Sequence, residues 1–271
     1  MCDICVMNSV KERMLSRRSL FKGGMAAAGA AAVGGLTATP SLADGHGSVA
    51  DLSHMVDETF PTFFGTPGVT YEKTFDFAES GFNLYNITYM EHVGTHIDAP
   101  LHFSADGQDV SEIPVSSLVC PLVKIDIAAR AAEDADTQLT PDDLQAWIDA
   151  NGEIPDGACV AMYSGWGEKV RTDGFRNADG DGGLHFPGFH IEATQMLLET
   201  GAASIAVDTL SLDYGQSADF ATHYAWLPQN RYGIENIAGL AGLPAAGATL
   251  VVGAPKTGKG TGGPARIFAM V

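Results

Sequence analysis

The twelve residues from His92 to Phe103, His-Val-Gly-Thr-His-Ile-Asp-Ala-Pro-Leu-His-Phe, hold three of the eight histidines of the chain, with an aspartate between the second and third. Imidazole and carboxylate groups are the side chains that hold catalytic divalent metals, and a hydrolytic site keeps one position open to water. A helix would place His92 and His96 on one face, but Gly94, the β-branched neighbours and Pro100 argue against a helix here. In a strand, positions 92, 94, 96 and 98 share a face, yet fully extended they span roughly 20 Å, too far for one ion. The chain must therefore bend, and Gly94 is the residue able to bend it.

The elements that must position this cluster read as alternating strands and helices. Residues 83–91 alternate in character and lead into the cluster as a strand. Apolar runs at 122–127, 158–163, 203–207, 250–253 and 266–270 read as further, buried strands. Thr140-Pro141-Asp142-Asp143 is a helix start, with a Thr cap, Pro at the first helical position and acids in the first turn. That helix runs through Leu144, Trp147 and Ile148 to Gly152, and a second is expected at 193–200 with Gly201 as its stop.

Two motifs imitate binding loops. Residues 177–182 open like a calcium loop, but the twelfth position is Gly188 where a bidentate Glu is required, so the segment is a turn. Residues 253–260 nearly spell a phosphate loop. They lack the final Ser/Thr, and Gly260 to Pro264 cannot start the helix that would hold phosphate, which excludes nucleotide binding there.

Ser16-Arg17-Arg18-Ser19-Leu20-Phe21-Lys22, an apolar Gly/Ala-rich run from Gly23 to Ala38 and Ser41-Leu42-Ala43 make residues 1–43 a twin-arginine export signal. The expected mature protein is residues 44–271, in a bacterial periplasm. Removing 1–43 takes five of fifteen Lys/Arg and two of thirty-three Asp/Glu, leaving ten basic and thirty-one acidic residues and a net charge near −21. Such a surface repels nucleic acid and anionic membranes. Cys2 and Cys5 leave with the signal, and Cys120 and Cys159 are expected as buried thiols.

His92-x-Gly94-Thr95-His96-x-Asp98-Ala99-Pro100-x-His102 resembles the signature of the metal-dependent cyclase family, which includes bacterial kynurenine formamidases and isatin hydrolases. The resemblance extends to Asp51-Leu52-Ser53-His54, to Ser164-Gly165-Trp166, to Asp208-Thr-x-Ser211-x-Asp213, to His223 and Glu235 twelve residues apart, and to the Pro264-Ala265-Arg266 ending. It implies an α/β fold of the swivelling β/β/α type, a single domain with a mixed sheet and flanking helices. It implies that His92, His96 and Asp98 bind a divalent metal, Mn²⁺ or Zn²⁺, with His223 and Glu235, at the start of a short helix (234–240), as the second half of the site. These two either bind a second ion or orient the water, Glu235 being a catalytic candidate. His102 is either a ligand of a second ion or a catalytic proton shuttle. Asp208 either orients a ligating histidine or caps the next turn.

The reaction implied is metal-assisted hydrolysis of a non-peptide C–N bond in a small aromatic amide or lactam, the cation lowering the pKa of water from ~15.7 toward ~7. Phe63, Phe64, Trp166 and Trp226 are expected to line the substrate site. A lactone hydrolase of the same family and a non-catalytic periplasmic metal-binding protein are the alternatives. The resemblance also implies a homodimer or homotetramer whose sites borrow aromatic residues from a neighbour.

Overall fold

The apolar runs of this chain are continuous rather than alternating because the strands they form are buried on both faces. In the computed structural model, which describes residues 47–271, the strands in chain order are β1 (Val49–Asp51), β2 (Val69–Phe75), β3 (Leu84–Tyr89), β4 (His96–Asp98), β5 (Val119–Asp126), β6 (Gln138–Leu139), β7 (Cys159–Tyr163), β8 (Gly188–Phe189), β9 (Ser204–Val207), β10 (Tyr232–Glu235), β11 (Ala248–Gly253), β12 (Gly262–Pro264) and β13 (Arg266–Met270). The helices are α1 (Phe77–Ser80), α2 (Ala128–Glu133), α3 (Pro141–Asn151), α4 (Ile191–Leu198) and α5 (Ala221–Trp226). The expected export signal lies outside the described residues. Among the described residues, no helix is long and apolar enough to cross a membrane.

Nine strands form one mixed sheet in the order β1-β13-β11-β5-β7-β9-β10-β4-β12. The centre, β5-β7-β9-β10, is parallel, and both flanks pair antiparallel. This is the mixed sheet with flanking helices that the resemblance implied. Successive residues serve opposite faces. Leu122, Cys159, Ala161 and Ala206 enter one core with Leu52, Ile97, Ile234 and Leu250. Their neighbours Val123, Ile125, Val160, Met162, Ile205 and Val207 enter a second core with Leu144, Trp147 and Leu197 from α3 and α4. Cys120 and Cys159 are buried free thiols in the first core.

The helix read at Thr140 is present. Thr140 and Asp143 form a reciprocal capping box, and α3 ends at Gly152. The second helix starts two residues earlier than expected because His190 caps it, its Nδ1 accepting from the Glu192 amide at 3.2 Å. The helix expected at 234–240 does not form. Tyr232–Glu235 is instead a strand held between β9 and β4, and Asn236, in the left-handed region at φ 55°, ends it. Pairing on both sides overrides the weak helical preference of this short segment.

β2 and β3 pair as a separate two-stranded sheet, with α1 in the segment that joins them. Asp76 caps α1, Gly81 closes it in the left-handed conformation, and the Phe75 and Phe82 rings meet at 5.1 Å. Tyr85, Ile87 and Tyr89, which share one face of β3, are all exposed.

Candidate metal centre

The motif around His92 bends as its sequence demands. Gly94 has φ +67°, and a Cβ there would lie 2.1 Å from Cγ2 of Val56, so no other residue fits. After the bend, β4 runs between β10 and β12, with Asp98 opposite Gly233 and Gly262, and His96 opposite Glu235 and Pro264. Directly paired residues share a face. Ile97 and Ile234 point into the first core, so His96, Asp98 and Glu235 all point to the other side. Gly233 leaves room for Leu212, since a Cβ there would lie 2.7 Å from its Cδ1, and keeps the strand open beside Asp98 Oδ2, 3.4 Å from that position. Behind the face, Thr95 pins the strand by donating to Asn236 O at 2.5 Å.

Five side chains, Asp98 at their middle, converge on one centre. Its Oδ1 lies 2.7 Å from His92 Nδ1 and 3.3 Å from His96 Nε2, and its Oδ2 lies 3.7 Å from His223 Nε2. Glu235 reaches His96 Nε2 at 3.3 Å and His223 Nε2 at 3.2 Å. The set forms two overlapping triads suited to a cation, His92-His96-Asp98 and Asp98-His223-Glu235.

Neighbouring groups aim these atoms. His96 Nδ1 donates to Gly94 O at 2.9 Å, and His223 Nδ1 donates to Asp213 Oδ2 at 2.6 Å. Each bond fixes the tautomer that leaves Nε2 with a free lone pair, the arrangement of a ligating histidine. Asp213 also accepts the Thr222 and His223 amides at the start of α5, whose N-cap Phe220 offers no side-chain acceptor. Glu235 is held by the Leu212 amide at 3.0 Å.

Two buried atoms at the centre, His96 Nε2 and Asp98 Oδ2, have no hydrogen-bond partner. Orphaned buried polar atoms are costly, and a shared cation satisfies both. The electrostatics agree. Burial works against charge on His96, but Asp98 and Glu235 outweigh it and push its pKa up to about 10. Burial likewise opposes charge on His223, yet Asp213, Asp98 and Glu235 hold its pKa well above the usual value. The carboxylates thus demand positive charge between them, which a divalent ion supplies. The donor set, imidazole nitrogen with carboxylate oxygen, suits Zn²⁺ or Mn²⁺.

His102 sits on a 3-10 turn (Pro100–Phe103) with its ring stacked 3.9 Å over His92. Burial lowers its pKa to about 4, outweighing the opposing pull of Asp98. Its imidazole is therefore neutral at pH 7 and free to take a proton. Beside it opens a cavity of about 320 Å³, lined by Phe63, Phe64, Phe103, Leu210, Ser211 and Phe220 together with His92, His102, His223 and Glu235.

Two of the expected lining residues lie elsewhere. The Trp166 indole is buried with Phe175, Phe186 and Leu210 and donates to Phe175 O at 2.8 Å. Trp226 is fully buried in the second core and donates to Tyr232 O at 2.9 Å. Each indole N–H finds its acceptor inside the protein, which holds both rings behind the cavity wall. Phe103 and Phe220 take their places, the first in the sequence motif itself, the second without any local signal. Asp208 neither orients a histidine nor caps the turn that follows it; it caps the distant turn at Ser164–Trp166. It accepts from Ser164 N and Oγ and from Trp166 N, with burial raising its pKa to about 6. Asp213, five residues on in the same motif, is the carboxylate that orients a histidine.

Comparison with known proteins identifies the family of the chain. The family model described as putative cyclase matches residues 50–214. The isatin hydrolase of Roseibium aggregatum is 34% identical over 218 residues, 76% of this chain and 82% of that protein. The kynurenine formamidase of Salinibacter ruber is 27% identical over 165 residues, 60% of this chain and 66% of that protein. Among solved structures, isatin hydrolase A from Labrenzia aggregata bound to benzyl benzoate superposes with a TM-score of 0.78 at 34% identity, covering 83% of this chain and 93% of that one. An isatin hydrolase bound to the product analogue thioisatinate gives 0.77 at 30% identity, over 82% and 92%. The chain belongs to the cyclase family.

Proposed function

We propose that this protein is a metal-dependent hydrolase that opens the C–N bond of a small aromatic amide or lactam. The observation that carries the reading is the convergence of five candidate ligands, Asp98 among them, beside a phenylalanine-walled cavity of about 320 Å³ that also holds a neutral histidine. A divalent cation bound there lowers the pKa of water toward ~7 and polarises a carbonyl oxygen.

The rest of the work falls to the chain. Phe63, Phe64, Phe103 and Phe220 exclude water and hold a flat aromatic ring. His102, neutral and stacked on His92, takes the proton of the attacking water and returns it to the leaving nitrogen. His223 and Glu235 would supply the second half of the cation site, binding a second ion or orienting the water.

Export by the twin-arginine signal places this chemistry outside the cytoplasm, where the substrate is an external amide or lactam. The exposed Tyr85, Ile87 and Tyr89 of β3 support assembly as a homodimer or homotetramer. The direct test is turnover of isatin, N-formylkynurenine and simple aromatic lactones with Mn²⁺ and with Zn²⁺. Hydrolysis of the first or second supports the reading. Turnover of lactones alone makes the protein a lactonase, and metal uptake with no turnover makes it a binding protein.

A further inference from the structure

His92 differs from the other two histidines of the centre in what holds its outer nitrogen. Its Nε2 lies 3.1 Å from the hydroxyl of Thr261, 169 residues away. That hydroxyl is itself a donor to Glu91 Oε2, in a short contact, and the Thr261 amide donates to both oxygens of the same carboxylate at 3.2 Å. An ionised carboxylate only accepts, so the single hydroxyl hydrogen of Thr261 is committed to Glu91. Toward His92 the hydroxyl is then an acceptor, and the proton of the imidazole resides on Nε2. The lone pair is left on Nδ1, the atom 2.7 Å from Asp98 Oδ1. Two acceptors at that distance repel each other unless a positive charge lies between them. They are the spacing of neighbouring donors on one cation.

The surrounding chain is built to hold this arrangement. Thr261 is flanked by Gly260 and Gly262, directly after the stretch 253–260 that resembles a phosphate loop but cannot form one. A Cβ at Gly262 would fall 2.9 Å from His92 Cε1 and 2.4 Å from Ile97 O, and one at Gly260 would fall 3.1 Å from Glu91 Oε1. Both glycines are therefore places where the backbone must approach the ring and the carboxylate. The Thr261 carbonyl accepts from the Ala99 amide at 2.8 Å, and β12 continues as the neighbour of β4. The position of the hydroxyl is thus tied to the strand that carries His96 and Asp98.

We propose that Thr261, oriented by Glu91, is a positioning residue of the metal centre: it keeps the His92 proton on Nε2 and so presents Nδ1, rather than Nε2, to the cation. His92 then binds through the opposite nitrogen from His96 and His223. This rests on the metal-dependent reading above, and its test needs no substrate.

The experiment is nitrogen-15 NMR of histidine-labelled protein loaded with Zn²⁺, together with Zn²⁺ affinity of Thr261→Val and Thr261→Ser. The expected spectrum shows His92 protonated on Nε2 and bound through Nδ1. Thr261→Val, which keeps the shape and removes the hydroxyl, is expected to weaken Zn²⁺ binding about 10–100-fold, and Thr261→Ser to stay within about threefold of wild type. Should the valine variant not fold, the wild-type spectrum and the serine variant decide. A His92 bound through Nε2, or protonated on both nitrogens, overturns the proposal, as does a folded valine variant within about threefold of wild type. A wild-type protein that takes up no ion overturns the metal-dependent reading itself, a different outcome from unchanged affinity in the variant.

Discussion

Asp213 Oδ2 lies 2.6 Å from Nδ1 of His223, and the opposite nitrogen of the same ring faces Glu235 Oε1 at 3.2 Å. One carboxylate thus orients the imidazole, while the other is placed to share a cation with it. Asp213 simultaneously accepts two amides at the start of α5, the helix that carries His223. Asp213→Ala is expected to reduce metal affinity by about 10–100-fold and to cost about 1 kcal/mol of stability through the lost cap. Titration with Zn²⁺ and thermal unfolding of the chelated protein separate the two effects. Undiminished affinity would refute the orienting role.

His102 and His96 should part company on mutation. His102→Ala is expected to keep its metal and lose roughly 10²–10⁴-fold in kcat, the range for general acid–base catalysis. His96→Ala removes a buried ligand and is expected to lose metal and activity together. Elemental analysis beside steady-state kinetics reads both. A His102→Ala protein that retains only half its metal makes His102 a ligand in a two-ion centre.

The pH dependence of the chelated protein has a definite sign. Burial disfavours charge on His96, but Asp98 and Glu235 raise its pKa to about 10, above its unfolded value. Its contribution to stability is fully present below about pH 6.5 and is lost as pH rises through about 10. A bound cation needs that imidazole neutral and releases its proton, so the loaded protein escapes the loss. The melting temperature of chelated protein should fall from pH 6.5 to 9, and the increment produced by metal should grow over the same range. An increment that shrinks with pH would contradict the assignment.

Aromatic residues of the cavity and of the core should give different phenotypes. Phe220 lines the cavity and meets Phe63 and Phe103 at 6.0 and 5.7 Å. Phe220→Ala is expected to raise KM for an aromatic substrate about 2–10-fold. Trp226→Ala empties a fully buried site and is expected to cost about 3–5 kcal/mol of stability. Melting temperatures and KM values on the two variants check the contrast. A large KM effect confined to the tryptophan would place the substrate elsewhere.

Residue types and local spacing already determined much of this protein. Three histidines and an aspartate within eleven residues announce a cation site, and Gly94 announces the bend that it needs. Continuous apolar runs mark strands buried on both faces, and Thr140-Pro141 with its following acids marks the start of α3. Each of these signals acts over one turn or one strand, where propensity and periodicity operate. Only the tertiary structure decided what meets across long separations. Glu235 closes the metal centre from a strand rather than a helix, because β9 and β4 pair with it on both sides. Asp213, not Asp208, orients His223, because only the side chain of Asp213 reaches the ring, while that of Asp208 is occupied by the turn at Ser164. Trp166 and Trp226 lie behind the cavity wall because their indole N–H groups find carbonyls inside the protein. Thr261 reaches His92 across 169 residues because β12 is built as the neighbour of β4, a pairing that no local pattern encodes.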